Sequence, residues 1–118
     1  MPHEQLTDYL LSQLQEAGLI DDKAYVAKVV NGLSENESWE VLSAEEASGC
    51  KSYLESEYRG YRYFPVANRM ENDDIFCFVA SGEKSTNMLI FIIHDYASPG
   101  WEISGQYSSY EEFIQDYE

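Results

Sequence analysis

The sequence predicts an α+β fold: one domain with a central mixed, mostly antiparallel sheet and flanking helices. Three observations carry that expectation. In the first half, apolar residues recur at helical spacing, interrupted by one short strand led by Trp39. In the second half the period changes: two short, almost wholly apolar runs, 75–80 and 88–95, are separated by a brief polar stretch. The 118 residues contain no internal repeat, low-complexity tract or dividing linker, so 1–118 reads as a single domain. A chain of this length buries roughly two-thirds of its unfolded surface and can fold on one core.

Leu6, Tyr9, Leu10, Leu14 and Ala17 predict a helix over 4–17 within an N-terminal helical segment, 1–20, with Gly18 as its stop. Asp21 or Asp22 can cap a second helix that carries Tyr25, Val26, Val29 and Val30 on one face and ends at Asn31-Gly32. Residues 34–38 read as a polar loop and 39–42 as a short strand. Ser43-Ala44-Glu45-Glu46 fits a capping box, in which Ser and Glu satisfy each other's backbone N–H. It opens a third helix with the stripe Ala47, Cys50, Leu54 and Tyr58, stopped by Gly60.

Tyr61 and Tyr63 begin a strand expected to break near Pro65, at a sheet edge, because proline donates nothing to a ladder. Residues 68–74 read as a polar loop. The runs 75–80 and 88–95 then form an antiparallel hairpin around a turn at 81–87. Their continuous apolarity describes central strands covered on both faces. Residues 97–100 turn the chain, and 101–103 extend the sheet. Ser108-Ser109-Tyr110-Glu111 resembles a second capping box. It precedes a closing helix lined by Tyr110, Phe113, Ile114 and Tyr117.

Charge bounds the function. Twenty-two Asp and Glu against seven Lys and Arg give a net charge of −15, too acidic to favour nucleic acid or an anionic membrane. With 44% hydrophobic residues and ten tyrosines the chain is nevertheless a folding sequence, not an acidic tail. Such a field attracts a basic protein, although acidity also serves solubility alone. The imbalance grows along the chain. After Lys84 there is no Lys or Arg, while Asp95, Glu102, Glu111, Glu112, Asp116 and Glu118 follow.

The N-terminus has neither the basic nor the apolar region of a signal peptide, and the longest apolar run is too short to span a bilayer. The expected location is the cytoplasm. Cys50 and Cys77 then read as reduced thiols, Cys77 as a small core residue, although the sequence leaves a disulfide open.

Catalytic motifs are not evident. The glycines are scattered, so no phosphate loop is spelled out. Of the two histidines, His3 lies at the terminus. His94 ends an apolar run beside Asp95 and is the one candidate base, with Asp95 or Asp74 as partner; the plainer reading is a strand-end histidine bonded to backbone or water. Zinc would need more N and S ligands, and Glu71, Asp73 and Asp74 lack the calcium-loop spacing. The expectation is therefore a non-enzyme without metal or cofactor that acts by binding protein. Loop position and composition nominate Glu71, Asp73 and Asp74 in one segment, and Asp95, Tyr96, Trp101 and Glu102 in another, as its contacts. Tyr and Trp concentrate at interface hot spots, though each also packs in cores.

The motif order resembles the SUKH superfamily of cell-wall assembly regulators and bacterial immunity proteins. The resemblance runs from about Asp22 to the C-terminus. A helix ends in Asn31-Gly32, and Trp39-Glu40-Val41-Leu42-Ser43 leads into an acidic helix. Tyr63-Phe64-Pro65-Val66-Ala67-Asn68 precedes Asp74-Ile75-Phe76-Cys77-Phe78. A strand closes in His94-Asp95, and Ser109-Tyr110-Glu111-Glu112-Phe113-Ile114 opens the last helix. The chain departs from the pattern before Asn31, where 25–30 is plain helix instead of an acidic, proline-containing segment, and in having Asn-Gly-Leu instead of a double glycine. The resemblance implies a SUKH-like α+β domain that neutralises a cognate toxin, often a nuclease, in the bacterial cytoplasm. Its eukaryotic branch implies the alternative, a regulatory interaction module unconnected with a toxin.

Overall fold

The computed structural model describes residues 4–18, 23–58, 61–69, 74–81, 89–94 and 103–117. Among these residues, four helices accompany five strands. Their order is α1 (Glu4–Glu16), α2 (Lys23–Glu35), β1 (Trp39–Val41), α3 (Ala44–Glu57), β2 (Tyr61–Arg69), β3 (Asp74–Ser81), β4 (Leu89–His94), β5 (Ile103–Tyr107) and α4 (Tyr110–Tyr117). The strands lie in the order β1-β2-β3-β4-β5, and each neighbouring pair is antiparallel. The expected mixed, mostly antiparallel sheet is thus antiparallel at all four described pairings, in an α+β domain.

The alternating side chains of β3 and β4 divide the core in two. Phe76, Phe78, Ile90 and Ile92 join Leu6, Leu10 and Leu14 of α1, Val26, Val29, Val30 and Leu33 of α2, and Tyr110 and Phe113 of α4. Ile75, Cys77, Val79, Phe91 and Ile93 face the other way, with Tyr63, Leu54 and Tyr58. This is why both runs are continuously apolar: each face has its own cover. Phe76 anchors the larger cluster, its ring centroid 4.9 Å from Phe113 and 6.1 Å from Trp39, both edge-on. Burying a side chain of this kind contributes roughly 1.5–3 kcal/mol.

The helix ends follow local chemistry. Gly18 has φ 72°, the left-handed conformation that ends α1, and its N–H donates to the Gln15 carbonyl. Ser43 forms the predicted capping box: the Glu46 N–H donates to Ser43 Oγ at 3.1 Å, and the Ser43 N–H donates to Glu46 Oε1 at 2.9 Å. In α4 the cap is Ser109, not Ser108, because the Glu112 N–H donates to Ser109 Oγ at 3.2 Å.

Two further sequence expectations are corrected. First, Asn31-Gly32 does not end α2, which runs to Glu35 and buries Leu33 in the same stripe as Val26, Val29 and Val30. Gly32 is instead a point of close approach: a Cβ there would lie 2.1 Å from the Tyr110 hydroxyl oxygen. Second, β2 does not break at Pro65. It bulges, with Pro65 opposite Cys77 and Ala67 opposite Phe76, so that Val66 is the extra residue. The bulge turns Phe64, Val66 and Ala67 all toward the larger cluster. The strand then continues to Arg69, through part of the expected 68–74 loop, with Asn68 opposite Ile75.

The edge expected at Pro65 is nevertheless present. β1 pairs only with 67–69, so 61–65 has no strand on that side among the described residues. Helix α3 covers it instead. Glu55 Oε2 accepts the Tyr63 N–H and Lys51 Nζ donates to the Tyr63 carbonyl, both at 3.0 Å, while Lys51 and Glu55 pair with each other. Lys51 also lies 4.3 Å from the centre of the Phe64 ring.

Candidate functional site

The sheet's register sets several strand ends side by side. Trp39 is opposite Arg69, Asn68 opposite Ile75, Asp74 opposite His94, and Ile93 opposite Ile103. The strand ends that bound 70–73 and 95–102 therefore lie at the same end of the sheet. Glu71, Asp73, Asp95, Tyr96, Trp101 and Glu102 lie outside the described residues. Asp74 does not.

Asp74 opens β3 and is only 6% exposed, so it is not the solvated loop acid the sequence suggested. A buried carboxylate needs a partner. His94 supplies it from the last position of β4, with Nδ1 3.0 Å from Asp74 Oδ1. The imidazole itself is half-exposed, at 51%. Of the two partners considered for His94, the structure pairs it with Asp74. The carboxylate fixes the ring through Nδ1. This arrangement orients a histidine at the sheet end. No group of three His, Cys, Asp or Glu that could hold a metal ion occurs among the described residues.

Cys77 is fully buried between β2 and β4, and burial pushes its thiol well above the usual range; Cys50, half-buried on α3, packs against the same cluster. The expected reading of Cys77 as a small core residue holds.

The described lysines all sit against carboxylates. Lys23 is 3.3 Å from Asp8, Lys28 is 2.6 Å from Glu111, and Lys51 pairs with Glu55. The Lys28 hydrogen bond holds the Glu111 carboxyl below its usual range and lifts the ammonium above its own. This neutralisation leaves many acids in excess. Glu35, Glu37 and Glu40 are exposed around the end of α2 and along β1, as are Glu45 and Glu46 in the first turn of α3. On α4, Glu112 and Asp116 are exposed and no ion pair among the described residues reaches either. The C-terminal imbalance in the sequence is therefore a surface property of α4.

A second feature of α4 was not foreseen. The last strand occupies 103–107, directly before the helix; of the expected 101–103, Ile103 lies in it and 101–102 lie outside the described residues. Ser104 is a bulge on it: Ile92 faces Gly105 and Ile93 faces Ile103, and the Ser104 hydroxyl donates to the Ile92 carbonyl at 3.1 Å. Tyr107 Oη donates to Asp116 and its ring packs edge-on to Phe113, tying β5 to α4. The exposed Ser104 and Gln106 alternating with half-buried neighbours carried this signal in the sequence, but the segment is too polar and too short to stand out by period.

No helix among the described residues is long and apolar enough to cross a membrane. No family model, curated protein or solved structure matches the chain.

Proposed function

We propose that the chain is a SUKH-like, protein-binding immunity protein that acts in the cytoplasm without catalysis. In this reading it neutralises a cognate bacterial toxin by covering the toxin's active site or basic surface. A nuclease is the toxin class that fits best, because its substrate groove must be basic to hold a polyanion. The observation that carries the reading is the one-sided charge: −15 overall, with no Lys or Arg after Lys84 and exposed, unneutralised acids on α4. An acidic inhibitor of a basic groove gains both encounter rate and specificity from such complementarity. The motif order and the antiparallel α+β architecture are in keeping with it. Its second contact region combines Asp74, at the sheet end it shares with His94, with the nominated residues Glu71, Asp73, Asp95, Tyr96, Trp101 and Glu102.

Co-expression with toxin domains encoded beside the gene tests this function. Rescue of growth, with recovery of a complex, is the expected result. No rescue by any neighbour, with housekeeping partners recovered instead, would favour the regulatory module.

A further inference from the structure

Among the described residues the sheet has three stretches of strand edge, and two are protected. β1 is three residues long and carries the exposed Glu40 at its centre. In the open half of β2, Lys51 and Glu55 satisfy the backbone of Tyr63 at its centre. Short strands, charges and covering side chains are the usual means by which an edge avoids pairing. β5, Ile-Ser-Gly-Gln-Tyr, carries no charge, and only its first half is blunted by the bulge at Ser104. Among the described residues, Ser104, Gly105 and Gln106 have no backbone partner beyond β4.

An open groove of about 500 Å³ runs along this edge. Successive residues of a strand point to opposite faces, yet Ser104, Gly105 and Gln106 all line it. The groove therefore follows the rim of the strand instead of lying over one face. Its other wall is the face of α4 that carries Glu112, Gln115 and Asp116. The lining thus combines backbone, two carboxylates, two amides and hydroxyls, with no cation.

We infer that this groove receives an extended, lysine- or arginine-bearing segment of the partner protein, which pairs with the β5 backbone and sets its cations against Glu112 and Asp116. Charge selects the occupant. A second copy would bring another −15 and oppose like carboxylates across the edge, and a nucleic acid or acidic peptide would be repelled. Main-chain pairing supplies affinity in strand addition, and the side-chain surroundings supply the choice of sequence. This inference rests on the proposed binding of a basic protein and names the surface used.

The test is amide-resolved NMR of the full chain titrated with a short peptide of alternating lysine and valine. Shifts should concentrate at 104–107 and along α4. Glutamate in place of lysine should abolish them, and so should N-methylation of alternate peptide bonds. Together, Glu112→Gln and Asp116→Asn should weaken binding about tenfold, as expected for two partly exposed charge contacts. Shifts confined to another surface, indifference to N-methylation or to the double substitution, or self-association through β5 would overturn the inference. The same double variant separates this claim from the function. Toxin rescue without peptide binding removes the groove alone, whereas peptide binding at β5 without any rescued toxin removes the immunity reading alone.

Discussion

The carboxylate of Glu55 accepts the backbone N–H of Tyr63 at 3.0 Å, so that a helix side chain completes an unpaired strand edge. Tyr63 is fully buried, and its carbonyl depends on Lys51 in the same way. Glu55→Ala should leave a buried donor unsatisfied and release Lys51, at a cost of about 1–3 kcal/mol. Glu55→Gln, which keeps the acceptor, should cost less. Urea unfolding of the two variants checks the ordering, and equal losses would mean that the ion pair, not the backbone contact, is what matters.

Two helical glycines should respond with opposite sign to the same substitution. Nothing lies within 4 Å of a Cβ built on Gly49, in the exposed middle of α3, so Gly49→Ala should stabilise by about 1 kcal/mol through helix propensity. Gly32→Ala would drive a methyl into the Tyr110 ring and should destabilise by roughly 1–3 kcal/mol despite the same gain in propensity. Thermal or chemical denaturation reads both.

The thiols should differ sharply. Cys77 is fully buried with its thiol held protonated by burial, whereas Cys50 is partly accessible. A thiol reagent at neutral pH should modify Cys50 first and reach Cys77 only on unfolding. Simultaneous modification of both in the native protein would contradict the core placement.

The Lys28–Glu111 contact joins α2 to α4 and makes a definite pH prediction. The Glu111 carboxyl is lowered from 4.5 in the fold, so the contact's contribution is present above that value and is lost as pH falls through the depressed one. The Lys28 ammonium is raised from 10.5, so the contribution is present below that value and is lost as pH rises through the elevated one. Lys28→Met should move the Glu111 titration, followed by side-chain carboxyl NMR, upward toward the ordinary glutamate range, with the backbone hydrogen bond at Glu111 still holding it down in part. An unmoved titration would show that the pair does not persist in solution.

The elements whose signal is local were legible in the sequence. The Ser43 capping box, the Gly18 stop and the continuous apolarity of β3 and β4 are each specified by residues within one turn or strand. What escaped depends on distant partners. Asn31-Gly32 has the composition of a helix end, but Gly32 answers to Tyr110, far along the chain. Pro65 suggests a break, but a one-residue bulge accommodates it and α3 satisfies the adjoining edge. Asp74 reads as a loop acid, and although it was one of two candidate partners for His94, only the hairpin register sets the two opposite each other. The β5 groove could not be read at all, since it exists only where the strand's rim meets α4.

The most direct measurement of the central claim is inhibition of a neighbouring toxin's activity by the purified chain. The account predicts stoichiometric inhibition that weakens steeply as salt rises, because exposed charges are screened within about 8 Å at physiological ionic strength. Full toxin activity in the presence of excess protein, at low salt and for every toxin encoded beside the gene, would contradict it.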